Sequence, residues 1–589
     1  MVWAMLAVVV AASAVIARAD QQAPYADNPG YEKGAFGPYP NQTFVSNPNV
    51  TAPVFNIITP AANGVANADY LFLGPKGDPV KRQRPTIVNA TDLSIMWADT
   101  GNITGEPLDV RVQSYNGKDY ITFFSGSDGG SGYGGGYYYM LDDKYSLAYN
   151  LSAQNISVLG DFHEFQLTDN GTALITVYEP MPFNLSIIDS DLTNGFIVDS
   201  LFQELDIETG KLVFQWRASD HYQLNATYNP LGVTGKRENA GFDWFHINSV
   251  QKDQTGNYLV SSRHLHTVTY IEGQSGDIIW ILGGKLNQFK DLSGGNATNF
   301  AWQHNARWTN DSLTGLTIFD NGASGFNTTR PYTRGLLLNI DQDAKTVQLV
   351  QEYLNPERIS SISQGNVQLL PNKNVLMGYG ANPAVTEYAA DGTVLWDIQF
   401  GIWNDTDVQS YRAYKMNWTS TPNTKPALAQ TFPPQRNGSR DLFVSWAGST
   451  EVRGWAVLGG NSTAMLSNST QNLFNVTKSG FETSITLNRT YHYVRCAALS
   501  SNGTVIGATD TLNLLNNSLV STNSTVDLKP PPPPPPPSSS RTPSASSTSA
   551  APASSSSGGG ERNLEPPWKE TWAGSTMLGI VGLAMWILA

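Results

Sequence analysis

The chain has little of what would staple a fold or bind a polyanion. One cysteine, Cys496, stands among 589 residues, so no intrachain disulfide can form and stability must come from packing. Charged residues make up 14% of the chain and the net charge is −13, which excludes binding nucleic acid through a basic surface. The glycine-rich run 126–136 lacks the Gly-Lys-Ser/Thr of a phosphate-binding loop and reads as a flexible loop at a domain rim. Histidine is scarce at seven residues. What remains is 40% hydrophobic and 11% aromatic, the composition of a globular chain long enough for two or more domains.

Three of the seven histidines recur at one phase of a repeated strand pattern. His163, His246 and His304 each open a short strand-like stretch that runs to an Asn/Asp/Gly turn ending at Gly171, Gly256 and Gly315. Each turn leads into an apolar strand, beginning at Leu174, Tyr258 and Leu316, which is a hairpin signal. Three further copies lack the histidine. They start at Asp69, Asp109 and Gly365. Several copies are followed by a second hairpin that ends on a tryptophan, at Trp216, Trp280 and Trp396. Two hairpins per repeat make a four-stranded blade, and six repeats predict an all-β, six-bladed β-propeller over 53–432. Inserted loops are expected at 180–199 and 220–239. Equivalent positions in a radial repeat face one axis, so His163, His246 and His304 are expected to converge.

Beyond the repeats, residues 441–526 show short alternating runs that read as a small β-sandwich of fibronectin or immunoglobulin type. Residues 1–19 fit a secretory signal peptide ending in Ala17-Arg18-Ala19. About 20 Asn-x-Ser/Thr sequons between Asn41 and Asn523 suit a glycosylated exported protein. A disordered Pro/Ser/Gly-rich stalk is expected at 529–571, beginning with the run Pro530–Pro537. The apolar tail 572–589 follows small residues and a polar spacer. That order matches a GPI-anchor signal, favoured over a transmembrane span because no basic residue follows the tail. The expected location is extracellular, at the cell surface or wall. Nothing fixes the oligomeric state.

The ordered set Asp243-Trp-Phe-His-Ile-Asn, Ser261-Ser-Arg-His264, Ile279-Trp-Ile-Leu-Gly-Gly284, Trp302-Gln-His-Asn-Ala-Arg307 and Phe319-Asp-Asn-Gly322 resembles the arylsulfotransferase family, most nearly its fungal secreted branch. The resemblance implies a six-bladed propeller. It also implies sulfuryl transfer from a phenolic sulfate to a phenol through a sulfo-histidine, with no nucleotide sulfate donor and no cofactor. By the same resemblance His304 is the nucleophile, His246 and Asn248 support it, Arg263 holds the sulfuryl oxygens, and His163 is a further catalytic histidine. The residue chemistry agrees. A neutral imidazole is nucleophilic near neutral pH, and a guanidinium fork matches an oxyanion. Trp244, Trp302 and Tyr137–Tyr139 are expected to form aromatic walls. His264 and His266 lie two apart on one strand and share a face, opposite Arg263, and read as structural. His221 and His492 lie outside the pattern. Two other readings stand beside the enzyme: a three-histidine zinc site, and a non-catalytic propeller serving as a binding module or wall protein.

Overall fold

The computed structural model describes residues 22–528 except 102, 131, 405–406, 432–438, 488 and 490. The expected signal peptide, the stalk and the apolar tail lie outside the described residues. Among the described residues, no helix is long and apolar enough to cross a membrane.

Six sheets of four or more strands surround one axis. From the axis outward, blade II is Glu106–Tyr115, Lys118–Ser127, Gly135–Leu141 and Leu147–Leu151. Blade III runs from Asp161–Leu167 to Leu212–Arg217, blade IV from Ile247–Lys252 to Ile278–Gly283, and blade V from His304–Trp308 to Thr346–Tyr353. Blade VI runs from Asn366–Leu369 to Val394–Gln399. The innermost strands contact one another in sequence around the ring. The tryptophans that end the second hairpins, Trp216, Trp280 and Trp396, are buried between blades.

Blade I closes the ring, and here the sequence reading needs correction. The copy that starts at Asp69 forms the second strand, Tyr70–Lys76, not the innermost one. The innermost strand is Gln409–Met416, which arrives after blade VI and pairs antiparallel with Tyr70–Lys76. Asn56–Thr59 adds to the outer edge of blade VI, on Val394–Gln399. Both ends of the propeller chain therefore cross the same seam, and no blade presents an open closing edge. The insertion expected at 180–199 is also mostly strand. Thr172–Phe183 and Gly195–Asp206 pair along their whole length, leaving 184–194 as the loop. The 220–239 region is irregular, with short 3-10 turns.

Residues 427–520 build a second pair of sheets. One holds Ala427–Gln430, Arg440–Ser445 and Thr483–Leu487, and the other is centred on Gly454–Gly460 and Tyr493–Leu499. Ala427–Gln430 thus pairs with this unit although it falls inside 53–432. The two units touch through Tyr145, whose hydroxyl donates to the Gly448 carbonyl at 2.8 Å. Cys496 is buried here.

A buried ion network fills the axis. Glu164, from blade III, meets Arg111 of blade II at 3.1 Å, Arg412 of blade I at 3.2 Å, and Arg307 of blade V. Asp109 meets Arg412 at 3.0 Å and Arg111 at 3.2 Å. Burial would raise the Glu164 carboxyl, but Arg307, Arg412 and Arg111 together hold it down to about 2. Removing one partner strands buried guanidiniums. Glu164→Gln is expected to cost about 3–5 kcal/mol. A denaturant titration reads this, and a loss under about 1 kcal/mol would show that the network carries little of the stability.

Candidate active site

The innermost strands bulge near their first residues, and the histidines sit at these bulges. Register shifts fall between Asp161 and Phe165, between Ile247 and Ser249, and between His304 and Arg307. His246 and Asn305 take the left-handed conformation, with φ of 56° and 54°. Such bulges turn a strand-start side chain out of the sheet. Here they turn imidazoles from blades III, IV and V into one cavity of 620 Å³ at the end of the axis. His163 and His246 have ring centroids 4.8 Å apart, and His304 lines the same space.

Each of these imidazoles is gripped at Nδ1 by a different partner. His163 Nδ1 lies 2.6 Å from Asp161 Oδ1, and His246 Nδ1 lies 2.5 Å from Asp243 Oδ2. His304 Nδ1 lies 2.7 Å from Asn321 Oδ1. The Asn321 amide donates to the carbonyls of Ser361 and Gln364 at 2.9 and 3.1 Å, which fixes Oδ1 toward His304. His304 therefore carries its proton on Nδ1, and its Nε2 accepts the Gln364 N–H at 3.2 Å. Burial first, and then the Arg263 charge, hold the His304 imidazole well below its usual range, so it is neutral. Burial also lowers His163, against the opposing pull of Asp161.

Arg263 is the site's unpaired cation. Its Nη1 donates to the Trp302 carbonyl at 2.6 Å and its Nη2 to the Ile362 carbonyl at 2.7 Å. The guanidinium lies over the Trp302 ring at 5.5 Å. Among the described residues it makes no ion pair, although it is 7% exposed. Burial pulls it down to about 10, and it stays charged near neutrality. Its hydrogen bonds go only to carbonyls and the Asp243 carboxylate acts on it only through space, so its charge is available to an anion in the cavity.

Several expectations fall differently in place. Arg263 and His264 are not on a strand. They lie in the turn 263–266 between Tyr258–Ser262 and Thr267–Ile271, so alternation does not separate them and both line the cavity. His264 Nδ1 bonds the Asp243 carbonyl at 2.7 Å, and burial drives its pKa to about 3. His266 instead stacks on Tyr228 at 4.2 Å. Asn248 does not reach the cavity. Its amide donates to the Gln303 carbonyl at 2.6 Å and is fully buried, because the bulge turns it sideways toward blade V. Trp244 lies in the core between blades III and IV, and Tyr138 donates to the Asp161 carbonyl. Neither forms a cavity wall, and Trp302 sits behind Arg263. The aromatic lining comes from Tyr133, Phe162 and Phe326. His221 stacks on Trp216, and His492 belongs to the second unit.

The sequence pattern gave Asp161, Asp243 and Asn321 no role and read His264 as structural. An aspartate two or three residues before two of the repeated histidines was the available signal. The glycine-rich loop is likewise part of the site. A Cβ on Gly132 would lie 3.7 Å from His246, and the Gly134 N–H donates to Asp161 Oδ2 at 2.8 Å.

Asp243, His246 and His264 offer one ligand atom each within 4.8 Å of one another. Among the described residues, this is the group that could hold a metal ion. Its Nδ1 atoms are spent on Asp243, and the adjoining Arg263 charge repels a second cation.

The family model for arylsulfotransferase (ASST) matches residues 111–401, which span blades II to VI. No curated protein matches the chain. Among solved structures, a protein of unknown function from Bacteroides caccae is similar at 11% identity and a TM-score of 0.35, covering 59% of this chain and 98% of its own. The Myceliophteria thermophila Cps50 (Swd1) β-propeller domain is similar at 11% identity and a TM-score of 0.32, covering 67% and 97%.

The neutral histidines set a pH dependence for folding. His264 and His266 sit at about 3, and His304 and His163 are also lowered. In the unfolded chain each titrates near about 6.5. Below that pH the unfolded state binds more protons, so stability is full above about 6.5 and falls as the solution is acidified toward 3. Each group contributes on the order of 1 kcal/mol per pH unit over that window. Denaturant midpoints that stay flat from pH 7 to 5 would contradict the neutral assignment.

Proposed function

The propeller belongs to the arylsulfotransferase family, and from that premise we propose that this cavity moves a sulfuryl group from a phenolic sulfate to a phenolic acceptor through a sulfo-histidine on His304. The observation that carries the reading is Arg263. It is a buried cation without a carboxylate partner, in one cavity with a neutral imidazole whose tautomer leaves Nε2 as the nucleophilic atom.

In the first half-reaction His304 Nε2 attacks sulfur. The Nε2–S bond forms and the S–O bond to the phenol breaks. The leaving phenolate takes a proton from Nε2 of His246, which enters this step as the imidazolium with its Nδ1–H held by the Asp243 carboxylate, and leaves it neutral. His163, backed by Asp161, orients the phenol oxygen through its own Nε2. In the second half His246 takes the acceptor phenol's proton, the phenolate oxygen attacks sulfur, and Nε2 leaves. Arg263 stabilises the charge on the sulfuryl oxygens throughout. Attack requires the Gln364 N–H to release Nε2. That same N–H then faces an oxygen of the transferred group, one bond farther out. Asn248 acts behind the site, holding blade IV to blade V.

The setting we propose is extracellular, on a stalk and a GPI anchor. The signal-like residues 1–19 and the order of residues 529–589 support it. So do the exposed positions of the sequon residues Asn155, Asn296 and Asn475.

A chromogenic aryl sulfate and a phenol acceptor test the activity by acceptor-dependent release. Ping-pong kinetics are expected, with a sulfuryl group detectable by mass spectrometry on the peptide containing His304 when donor is supplied alone. His304→Ala should abolish both. Arg263→Lys keeps the charge but loses the fork, and should lower kcat/KM by about 10²- to 10³-fold. Chelators should leave the rate unchanged. Full activity in His304→Ala would refute the nucleophile assignment. Absence of turnover with retained aryl sulfate binding would favour the non-catalytic module.

A further inference from the structure

The cavity mouth carries exposed apolar side chains that its hydrogen-bonding chemistry does not use. Val233 is 90% exposed and Phe326 61% exposed, and both line the cavity together with Leu231 and Tyr133. They come from three separate loops: the glycine-rich turn of blade II, the irregular segment between blades III and IV, and the segment after Gly315–Asp320 in blade V. Isolated exposed apolar residues need no explanation, but two exposed and two half-buried ones that share the lip of one cavity do.

Two of these rings are held in place. Tyr133 stacks on Tyr178 at 5.2 Å with an interplanar angle of 4°. Phe326 meets the Trp302 ring edge-on at 5.4 Å, and the Arg263 guanidinium lies over the same ring at 5.5 Å. The apolar lip and the anion anchor are thus joined through one indole. A cavity of 620 Å³ has room for more than a single-ring ester. The other cation on its wall, Lys76, is already paired with Asp128 at 2.7 Å and Glu106 at 3.2 Å. The mouth therefore offers contact to an uncharged arene and no partner for a second anionic substituent.

We propose that the lip formed by Tyr133, Leu231, Val233 and Phe326 selects the substrate's ring system, so that this protein takes sulfate esters of bulky, uncharged, multi-ring phenols in preference to single-ring ones. The inference rests on the reading of Arg263 as the sulfuryl anchor.

Sulfonates test it, because their C–S bond does not transfer. Calorimetry on the full-length protein would compare benzenesulfonate with pyrene-1-sulfonate. The pyrene compound is expected to bind at least about tenfold tighter. The double variant Val233→Ser, Phe326→Ser changes two exposed positions and so does not threaten folding. It should shrink that preference to within about threefold. Equal affinities in the wild type, or a preference that survives the double variant, would overturn the proposal. Turnover of phenyl sulfate without any ring-size preference sinks the lip alone. A lip-dependent preference with no turnover of any aryl sulfate sinks the transfer reading and leaves an anion-plus-arene site. Failure of both sulfonates to bind overturns both.

Discussion

Glu164 is the residue next to His163, and its carboxylate is where five of the six blades meet. Arg111, Arg307 and Arg412 reach it from blades II, V and I, and the Val250 N–H reaches it from blade IV at 3.1 Å. A carboxylate at 0% exposure is tolerable only with such partners. The radial arrangement supplies them, because each innermost strand brings its own side chains to the axis. Arg412 extends the network upward. Its Nη2 donates to the carbonyls of His163 and Asn248 at 2.8 and 2.9 Å. The strand that closes the ring therefore also holds the backbone of two strands bearing cavity groups. With three guanidiniums against the two carboxylates Glu164 and Asp109, the floor carries excess positive charge, as suits an anion above it.

That floor explains why His163, His264 and His304 can be buried and neutral. Protonating them would add charge above a cationic network and beside Arg263, with little water to screen it. The sequence places carboxylates behind two imidazoles and an amide behind the third. Asp161 and Asp243 present carboxylates to the Nδ1 atoms of His163 and His246, and Asn321 presents only a carbonyl to His304. Under the proposed transfer, one fold position thus serves as acid–base groups in blades III and IV and as a resting lone pair in blade V.

The repeat was legible because the fold is periodic. Hairpin turns, alternating strands and the phase of His163, His246 and His304 are local features that survive translation into blades. Closure was not legible, since Gln409–Met416 has no hairpin partner next to it in sequence and pairs with Tyr70–Lys76 across the whole propeller. The turn at Arg263–His266 was misread as strand because it is a four-residue loop without Gly, Pro or Asn, the usual turn residues. Asn248 misled for a related reason. A one-residue bulge changes which side chain faces the axis, and strand alternation cannot foresee it. The long hairpin of blade III looked like a loop because Pro180 and Pro182 sit within it. Both lie toward the far end of Thr172–Phe183.

The choice of Asn321 over a carboxylate can be argued from charge alone. Under the proposed transfer, His304 begins neutral with its proton on Nδ1. As Nε2 bonds to sulfur, the ring becomes an imidazolium, and its Nδ1–H sharpens as a donor. A carbonyl oxygen at 2.7 Å stabilises that growing charge. A carboxylate would stabilise it more, but it would also raise the resting pKa and favour a proton on Nε2, where the nucleophile must be. The amide is the compromise that keeps the lone pair. Arg263 enforces the same choice from the other side, since a resting imidazolium at His304 would face an unpaired guanidinium. When the sulfate anion arrives it neutralises Arg263, and the developing imidazolium then meets a neutral neighbour rather than a cation. Substrate binding thereby removes the repulsion that held His304 neutral in the empty site, at the step where positive charge must form on it.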